Sequence, residues 1–146
     1  MTRHLLDVNA IIALIDPLHV HHERAHAWFA ARVVRDGDRA WHTCPIVQNG
    51  VVRVVSHPKY PNTQPVPVVL ASLASLTARE DHVFLADSVS LLDTSIHTER
   101  LLASSQVTDT YLLHLAASHD ALLATFDTRL VTAAVPGGKA VLCPIP

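Results

Sequence analysis

The chain has 146 residues, of which 49% are hydrophobic and only 5% aromatic, which is enough for one domain with an aliphatic core. The formal net charge is -2 with 11 neutral histidines, which argues against a protein that holds nucleic acid by bulk positive charge. It does not exclude an enzyme that holds a short strand through a metal ion and a local patch. We expect a single domain over residues 1–146.

The two cysteines and the apolar segments predict a cytoplasmic protein. Cys44 and Cys143 have no CxxC spacing, so we expect neither a zinc site nor a disulfide framework, and reduced thiols. The first apolar run is broken by Asp7 and lacks the flanks of a signal peptide. No apolar run approaches the roughly 18 residues of a membrane span.

Residues 5–14 read as a short apolar strand followed by a helix, with Asp7 and Asn9 at the junction and Asp16 and Pro17 at the end. A longer helix is predicted from residue 19 to about 35, ending at residues 36–38. Its buried face is expected to contain Ala25, Trp28, Phe29 and Val33.

The second helix contains His22-Glu23-Arg24-Ala25-His26, which matches the zinc-protease pattern HExxH. We reject a zinc site here because the pattern is short, the segment is already rich in histidine, and Arg32 stands where an extended form of the motif has a third histidine. The simpler interpretation is a solvated helix face.

Residues 40–44 predict the second strand, and Pro45 starts a helix that runs to about residue 56 and carries Gln48 and Arg53. A loop at 57–62, a helix at 68–80 and a strand at 83–86 follow. Asp87 comes directly after that strand; a cap is the preferred role, and membership of an acidic site is the alternative. Residues 91–93 suggest a short extended piece, and residues 97–104 a helix.

The stretch from residue 106 to 127 predicts a helix, a tight turn and a buried strand at 121–126. Thr108 is the expected N-cap, which places Asp109 in the first turn, where the helix dipole favours a negative charge. Asp127 follows the strand directly. A last strand is predicted at 140–143, after a turn at 136–138. This alternation predicts a three-layer α/β/α sandwich with a mostly parallel central sheet.

Three carboxylates are thus expected where strands end or a helix begins. In open α/β sheets, ligands bind in the crevice beyond the carboxyl ends of the strands. If the strands are neighbours, Asp7, Asp109 and Asp127 converge there, and their mutual repulsion calls for a cation. A hard divalent ion with oxygen ligands, Mg²⁺ or Mn²⁺, is the simplest choice. Asn9 either orders a water molecule or caps the first helix, and Thr125 is a candidate to orient a carboxylate.

Four segments resemble the PIN-domain ribonucleases, and in particular the VapC toxins of bacterial toxin–antitoxin pairs. They are LLDVNAIIAL, CPIVQNGVVRV, QVTDTYLLHLAA and LLATFD, in this order along the chain. The resemblance implies a PIN-like fold, hydrolysis of an RNA such as tRNA or ribosomal RNA, a small VapB-type antitoxin as partner, and a homodimer.

The position of Gln48 is the main departure from the family pattern, which usually has a glutamate that helps the metal site there. An amide can still ligate a cation or hold a water molecule, but it adds no negative charge. The principal alternative is therefore a non-catalytic PIN-like module, binding RNA or protein, with a weakened metal site. Arg53 is expected either to contact an RNA phosphate or to form an ion pair.

Overall fold

A computed structural model describes residues 2–36 and 40–146. The five strands are β1 (Arg3–Leu6), β2 (Trp41–Thr43), β3 (His82–Phe84), β4 (Ala121–Thr125) and β5 (Leu142–Pro144). The α-helices are α1 (Val8–Ile15), α2 (His22–Arg32), α3 (Pro45–Val55), α4 (Val66–Thr77), α5 (Val107–Ser118) and α6 (Gly138–Val141). Short 3-10 turns span Val34–Asp36, Thr98–Arg100 and Ser104–Gln106.

The five strands form one parallel sheet in the order β3-β2-β1-β4-β5. Helices α1 to α4 pack against one another, and α5 packs against α6, β4 and β1. The α/β/α sandwich with a parallel sheet that the sequence predicts is confirmed. β1 lies at the centre of the sheet, and its partner β4 pairs with it over its whole length.

The hydrophobic core lies between the sheet and its helices and is mostly aliphatic. Leu5, Ile11, Leu113 and Leu123 are each fully buried. The predicted inner face of α2 is also confirmed, because Ala25, Trp28, Phe29 and Val33 are all buried. No helix of the described residues is long and apolar enough to cross a membrane.

The segment between β3 and α5 differs from the prediction. Residues 91–93 form a turn rather than an extended piece, and the helix expected at 97–104 is replaced by two separate 3-10 turns. Ile96 is the only buried residue from 87 to 106, so no apolar stripe holds a regular helix there.

Several predicted boundaries also shift. Thr108 is not the N-cap of α5, because the helix begins at Val107 with Gln106 in the cap position. The side chain of Gln106 turns back instead and accepts hydrogen bonds from the backbone N–H groups of Leu102 and Ala103. Helix α2 is shorter than predicted, and the turn expected at 36–38 falls mostly outside the described residues.

Candidate metal and active site

Strand pairing brings two of the predicted acidic residues to the same edge of the sheet. β1 and β4 run parallel in a register that pairs Leu6 with Ala124. The backbone N–H of Asp7 donates to the carbonyl of Ala124 at 3.1 Å, so Asp7 continues this pairing just beyond β1. Asp127 lies two residues past the end of β4. Both carboxylates therefore occupy the carboxyl edge, where ligands bind in parallel α/β sheets.

Asp7 also serves as the N-cap of α1. Its Oδ1 accepts a hydrogen bond from the backbone N–H of Ala10 at 2.8 Å, and only 5% of the residue is exposed. This bond satisfies one of the free N–H groups of the first helical turn. It fixes one carboxylate oxygen and the position of the carboxylate at the start of the helix.

Thr125 contacts both acidic residues at the strand ends. Its buried hydroxyl is hydrogen-bonded to the carboxylate of Asp7, and its Oγ1 accepts the backbone N–H of Asp127 at 3.0 Å. Asp127 is exposed, and its Oδ1 accepts the backbone N–H of Arg129 at 2.8 Å. Thr125 is thus placed to orient the side chain of Asp7 and the backbone of Asp127.

The third carboxylate reaches the site from α5. Asp109 lies in the first turn of that helix and is half-buried. The free N–H groups and the positive end of the helix dipole favour a negative charge at this point.

The pKa values show that the three carboxylates act on one another. The pKa of Asp7 is raised to about 6, mainly by burial and to a smaller extent by the charges of Asp109 and Asp127, while the bonds from Thr125 and Ala10 oppose the shift. Burial, and then the charge of Asp127, also raise the pKa of Asp109. The three side chains predicted from the sequence therefore lie near enough for the charges of Asp109 and Asp127 to act on Asp7 and for that of Asp127 to act on Asp109.

The three carboxylates do not form a ready-made ligand set for one ion. Among residues 2–36 and 40–146, no three acidic, histidine or cysteine side chains are grouped so that they could hold a metal ion together. Mg²⁺ does not need such a ligand set, since it usually keeps several water molecules and takes one or two protein carboxylates. The donors at this edge are all oxygen atoms, which fits Mg²⁺ or Mn²⁺ and not a softer metal.

Gln48 and Asn9 are on the same edge but make no hydrogen bond with the three aspartates in the described part of the chain. The Nε2 of Gln48 donates to Oγ1 of Thr43 at 3.0 Å, and that hydroxyl also bonds to the ring of His82. The amide oxygen of Gln48 accepts no hydrogen bond from a described residue. Asn9 is exposed in the first turn of α1 and is not the cap, since Asp7 takes that role.

Asp87 and Tyr60 lie outside the acidic group. Asp87 interacts with the thiol of Cys44 and with Tyr111. Its charge is not among those that shift the pKa of Asp7 or Asp109. The hydroxyl of Tyr60 donates to the carboxylate of Asp16, which ties the 57–62 loop to the end of α1.

The structure also shows the surroundings of Arg53 and of the two cysteines. Arg53 is exposed and forms no ion pair with a described residue. Cys44 and Cys143 are free thiols, and burial raises the pKa of Cys44 to about 11. A thiol with that pKa stays protonated at neutral pH, so Cys44 is not poised as a nucleophile.

The two histidines of the HExxH pattern hold the end of α1. Nδ1 of His22 donates to the carbonyl of Ala13 at 2.7 Å, and Nε2 of His26 donates to the carbonyl of Leu14 at 2.8 Å. These carbonyls belong to the last turn of α1, which leaves them without partners inside the helix. The pattern therefore has a structural role.

A group of side chains beside the acidic edge has no counterpart in the sequence prediction. The ring of His21 stacks on Phe126 with centroids 4.7 Å apart, and the guanidinium of Arg24 lies 5.2 Å from the centre of the Phe126 ring. Phe126 directly precedes Asp127, which was the one signal available from the sequence.

The order of the sheet and its acidic edge define an α/β/α protein with a candidate site for a divalent cation. The family profile of the PIN domain matches residues 4–136. The chain therefore belongs to the PIN-domain family.

Three relatives from Mycobacterium tuberculosis illustrate the similarity. Ribonuclease VapC44 is 46% identical over 136 residues, which cover 92% of this chain and 93% of the relative. Ribonuclease VapC38 is 40% identical over 131 residues, or 89% of each chain. Ribonuclease VapC39 is 36% identical over 140 residues, which cover 94% of this chain and 98% of the relative.

Proposed function

We propose that this protein is a Mg²⁺- or Mn²⁺-dependent endoribonuclease and the toxin of a toxin–antitoxin pair. The observation that carries the proposal is the coupling of Asp7, Asp109 and Asp127 at the carboxyl edge of the sheet. The similarity to three proteins named ribonuclease VapC supports RNA as the substrate. By the same similarity, a tRNA or ribosomal RNA is the expected target, a VapB-type antitoxin the partner, and a homodimer the assembly.

Asp7, Asp109 and Asp127 would hold the cation, directly or through water. When bound, such an ion polarises a phosphoryl oxygen and lowers the pKa of water, so that hydroxide is available near neutral pH. Thr125 holds the carboxylate of Asp7 and the backbone of Asp127 in place. Asp7 and Asp109 both have raised pKa values without a cation, so the chain gains from a positive charge at this point.

Gln48 and Asn9 would act on water and substrate rather than on the ion. The bond from Nε2 of Gln48 to Thr43 leaves its amide oxygen available to accept a hydrogen bond from a water molecule. The exposed amide of Asn9 can order a second water or a phosphate oxygen at the start of α1.

The test compares wild type with Asp7→Asn on single-stranded RNA, in the presence of Mn²⁺ and in the presence of EDTA. Asparagine keeps the N-cap but removes the charge. Asp120→Asn is the matched control: Asp120 is exposed at the opposite end of β4, and its φ of 54° is one that asparagine tolerates. We expect Asp7→Asn to lose about a hundredfold or more in cleavage rate, EDTA to stop cleavage by wild type, and Asp120→Asn to cleave normally.

A second function is favoured by one observation. The three carboxylates form no ready-made ligand set in the described residues, and Gln48 supplies an amide in place of a carboxylate. This fits a non-catalytic module that binds RNA or protein. Equal cleavage by wild type and Asp7→Asn, or cleavage by neither, would contradict the ribonuclease and favour the module.

A further inference from the structure

Three planar rings form a row beside the acidic edge. His19 and His21 lie with ring centroids 5.6 Å apart, and His21 lies nearly parallel to Phe126, with 4.7 Å between centroids and 20° between planes. We call His19, His21 and Phe126 the ring row. All three residues are only partly buried.

A cation accompanies the ring row. Arg24 is exposed, lies over the Phe126 ring, and donates from its NH1 group to Nδ1 of His21 at 2.8 Å. Its Nε donates to the main-chain oxygen of Pro146 at 2.9 Å. Its NH2 group donates to the carbonyl of Ile145 at 3.5 Å. Arg24 makes no ion pair with an Asp or Glu side chain of the described residues.

The ring row begins next to the acidic group. Phe126 and Asp127 are consecutive, and the Cα atoms of consecutive residues are about 3.8 Å apart. The row then follows the turn between α1 and α2 toward Asp16, whose charge acts on His19. The row therefore starts at the residue that precedes Asp127 in the chain.

We propose that the ring row and Arg24 form a subsite for single-stranded RNA. Nucleobases next to the cleaved phosphate stack on Phe126 and His21, and Arg24 contacts a phosphate of the same strand. The ligand class rests on the proposed ribonuclease function. Unpaired bases are generally recognised by stacking on aromatic rings and arginine planes, combined with contacts to the phosphates.

The charge of the molecule supports this choice. At a formal net charge of -2, the protein does not attract RNA by bulk charge, and its carboxylates repel phosphates. Stacking needs no net charge, and the guanidinium of Arg24, which no Asp or Glu side chain of the described residues pairs with, gives local attraction for a phosphate. A purely structural role, in which the cluster only packs residues 145 and 146 against α2, predicts a loss of stability without a loss of RNA binding.

The test measures RNA binding separately from cleavage. All variants are made in the Asp7→Asn background, with Mg²⁺ present. The probe is a single-stranded RNA of about ten nucleotides, within the range of known single-strand sites, that carries one 2-aminopurine. Its fluorescence reports stacking of that base directly. Each variant has a matched control. The control for Phe126→Leu is Phe84→Leu, because Phe84 is exposed on the edge strand β3. The control for Arg24→Gln is Arg35→Gln, because Arg35 is also exposed.

Phe126→Leu should weaken RNA binding about tenfold and abolish the 2-aminopurine signal, while Phe126→Tyr and Phe84→Leu retain both. Arg24→Gln should lower the slope of log K against log salt by about 0.7, the contribution of one phosphate contact to a single strand, and Arg35→Gln should leave it unchanged.

RNA binding by Phe126→Leu and Arg24→Gln equal to that of their controls would overturn the subsite. Because binding is measured without cleavage, failure of the subsite is distinct from failure of the ribonuclease, which the activity of Asp7→Asn decides.

Discussion

Asp7 combines two demands that conflict in the absence of a cation. As the N-cap it must accept a hydrogen bond from Ala10, and as a buried carboxylate beside two others it carries a charge in an unfavourable place. The sequence predicts its position at the strand–helix junction. It does not predict the burial that raises the pKa, because burial depends on packing across the sheet.

This conflict predicts how stability depends on pH in EDTA. Folding raises the pKa of Asp7 from 3.8 to about 6. The contribution of the protonated Asp7 carboxyl group to the free energy of unfolding is therefore fully present below pH 4 and is lost as pH rises through 6. A shift of this size corresponds to about 3 kcal/mol. Asp7→Asn, which keeps the cap, should be more stable than wild type at pH 7 by up to that amount and equally stable near pH 4. Urea unfolding at several pH values measures this difference, and a difference that is independent of pH would contradict it.

The amide at position 48 gives a second prediction at this scale. Gln48→Glu adds a negative charge at the carboxyl edge of the sheet and should tighten Mn²⁺ binding several-fold, because each added carboxylate attracts the ion. Gln64→Glu is the control, because it makes the same change from amide to carboxylate on the loop before α4, away from the carboxyl edge of the sheet. Isothermal titration with Mn²⁺ measures both affinities; equal affinity in Gln48→Glu and wild type would place residue 48 outside the metal site.

The elements that carry the acidic residues were predicted well, and the connection from β3 to α5 was not. β1, β2 and β4 are short apolar runs bounded by polar residues, and the parallel sheet follows from the helices between them. Residues 91–104 lack such a run, and their conformation depends on individual contacts instead. The bond from His114 to Asp93 and the bonds from Gln106 to the backbone are examples. Such contacts between distant residues cannot be read from local periodicity.

Helix α3 approaches α1 closely next to Asp7. A Cβ atom on Gly50 of α3 would lie 2.7 Å from Cγ2 of Val8, the residue that follows Asp7. Gly50→Ala should therefore push the helices apart, cost about 1–3 kcal/mol of stability and weaken Mn²⁺ binding. Val8→Ala removes the clashing methyl group, so the double variant should recover both properties. Additive losses in the double variant, measured by urea unfolding and metal titration, would contradict this account.

The far end of α1 gives the complementary prediction. His22 and His26 donate to its last carbonyls, so replacing both with alanine should cost about 1–3 kcal/mol of stability and leave cleavage intact below the melting temperature. A zinc protease would lose its activity with the same change. Thermal unfolding and RNA cleavage, measured on one preparation, distinguish the structural role of the histidines from a role in a zinc protease. Loss of activity in the folded variant would contradict the structural role.

At the scale of the whole molecule, the fold explains why residues 7, 109 and 127 reach the same edge of the sheet although they are far apart in the chain. A parallel sheet aligns the carboxyl ends of β1 and β4, and the crossover that leads into α5 returns the start of that helix to the same edge. The sequence therefore indicates which acidic residues reach this edge. It does not indicate the ring row, because the contact of Phe126 with His21 and Arg24 joins β4 to α2 across the fold.

The most direct test of the metal site is a crystal structure of the protein grown with Mn²⁺, with anomalous data collected at the manganese edge. We predict an anomalous peak among the carboxylates of Asp7, Asp109 and Asp127, with at least one of their oxygen atoms about 2.0–2.3 Å from the ion, and no such peak in crystals of Asp7→Asn. A wild-type crystal with manganese bound only at the histidines of α2, or with no manganese at the carboxyl edge of the sheet, would contradict the account.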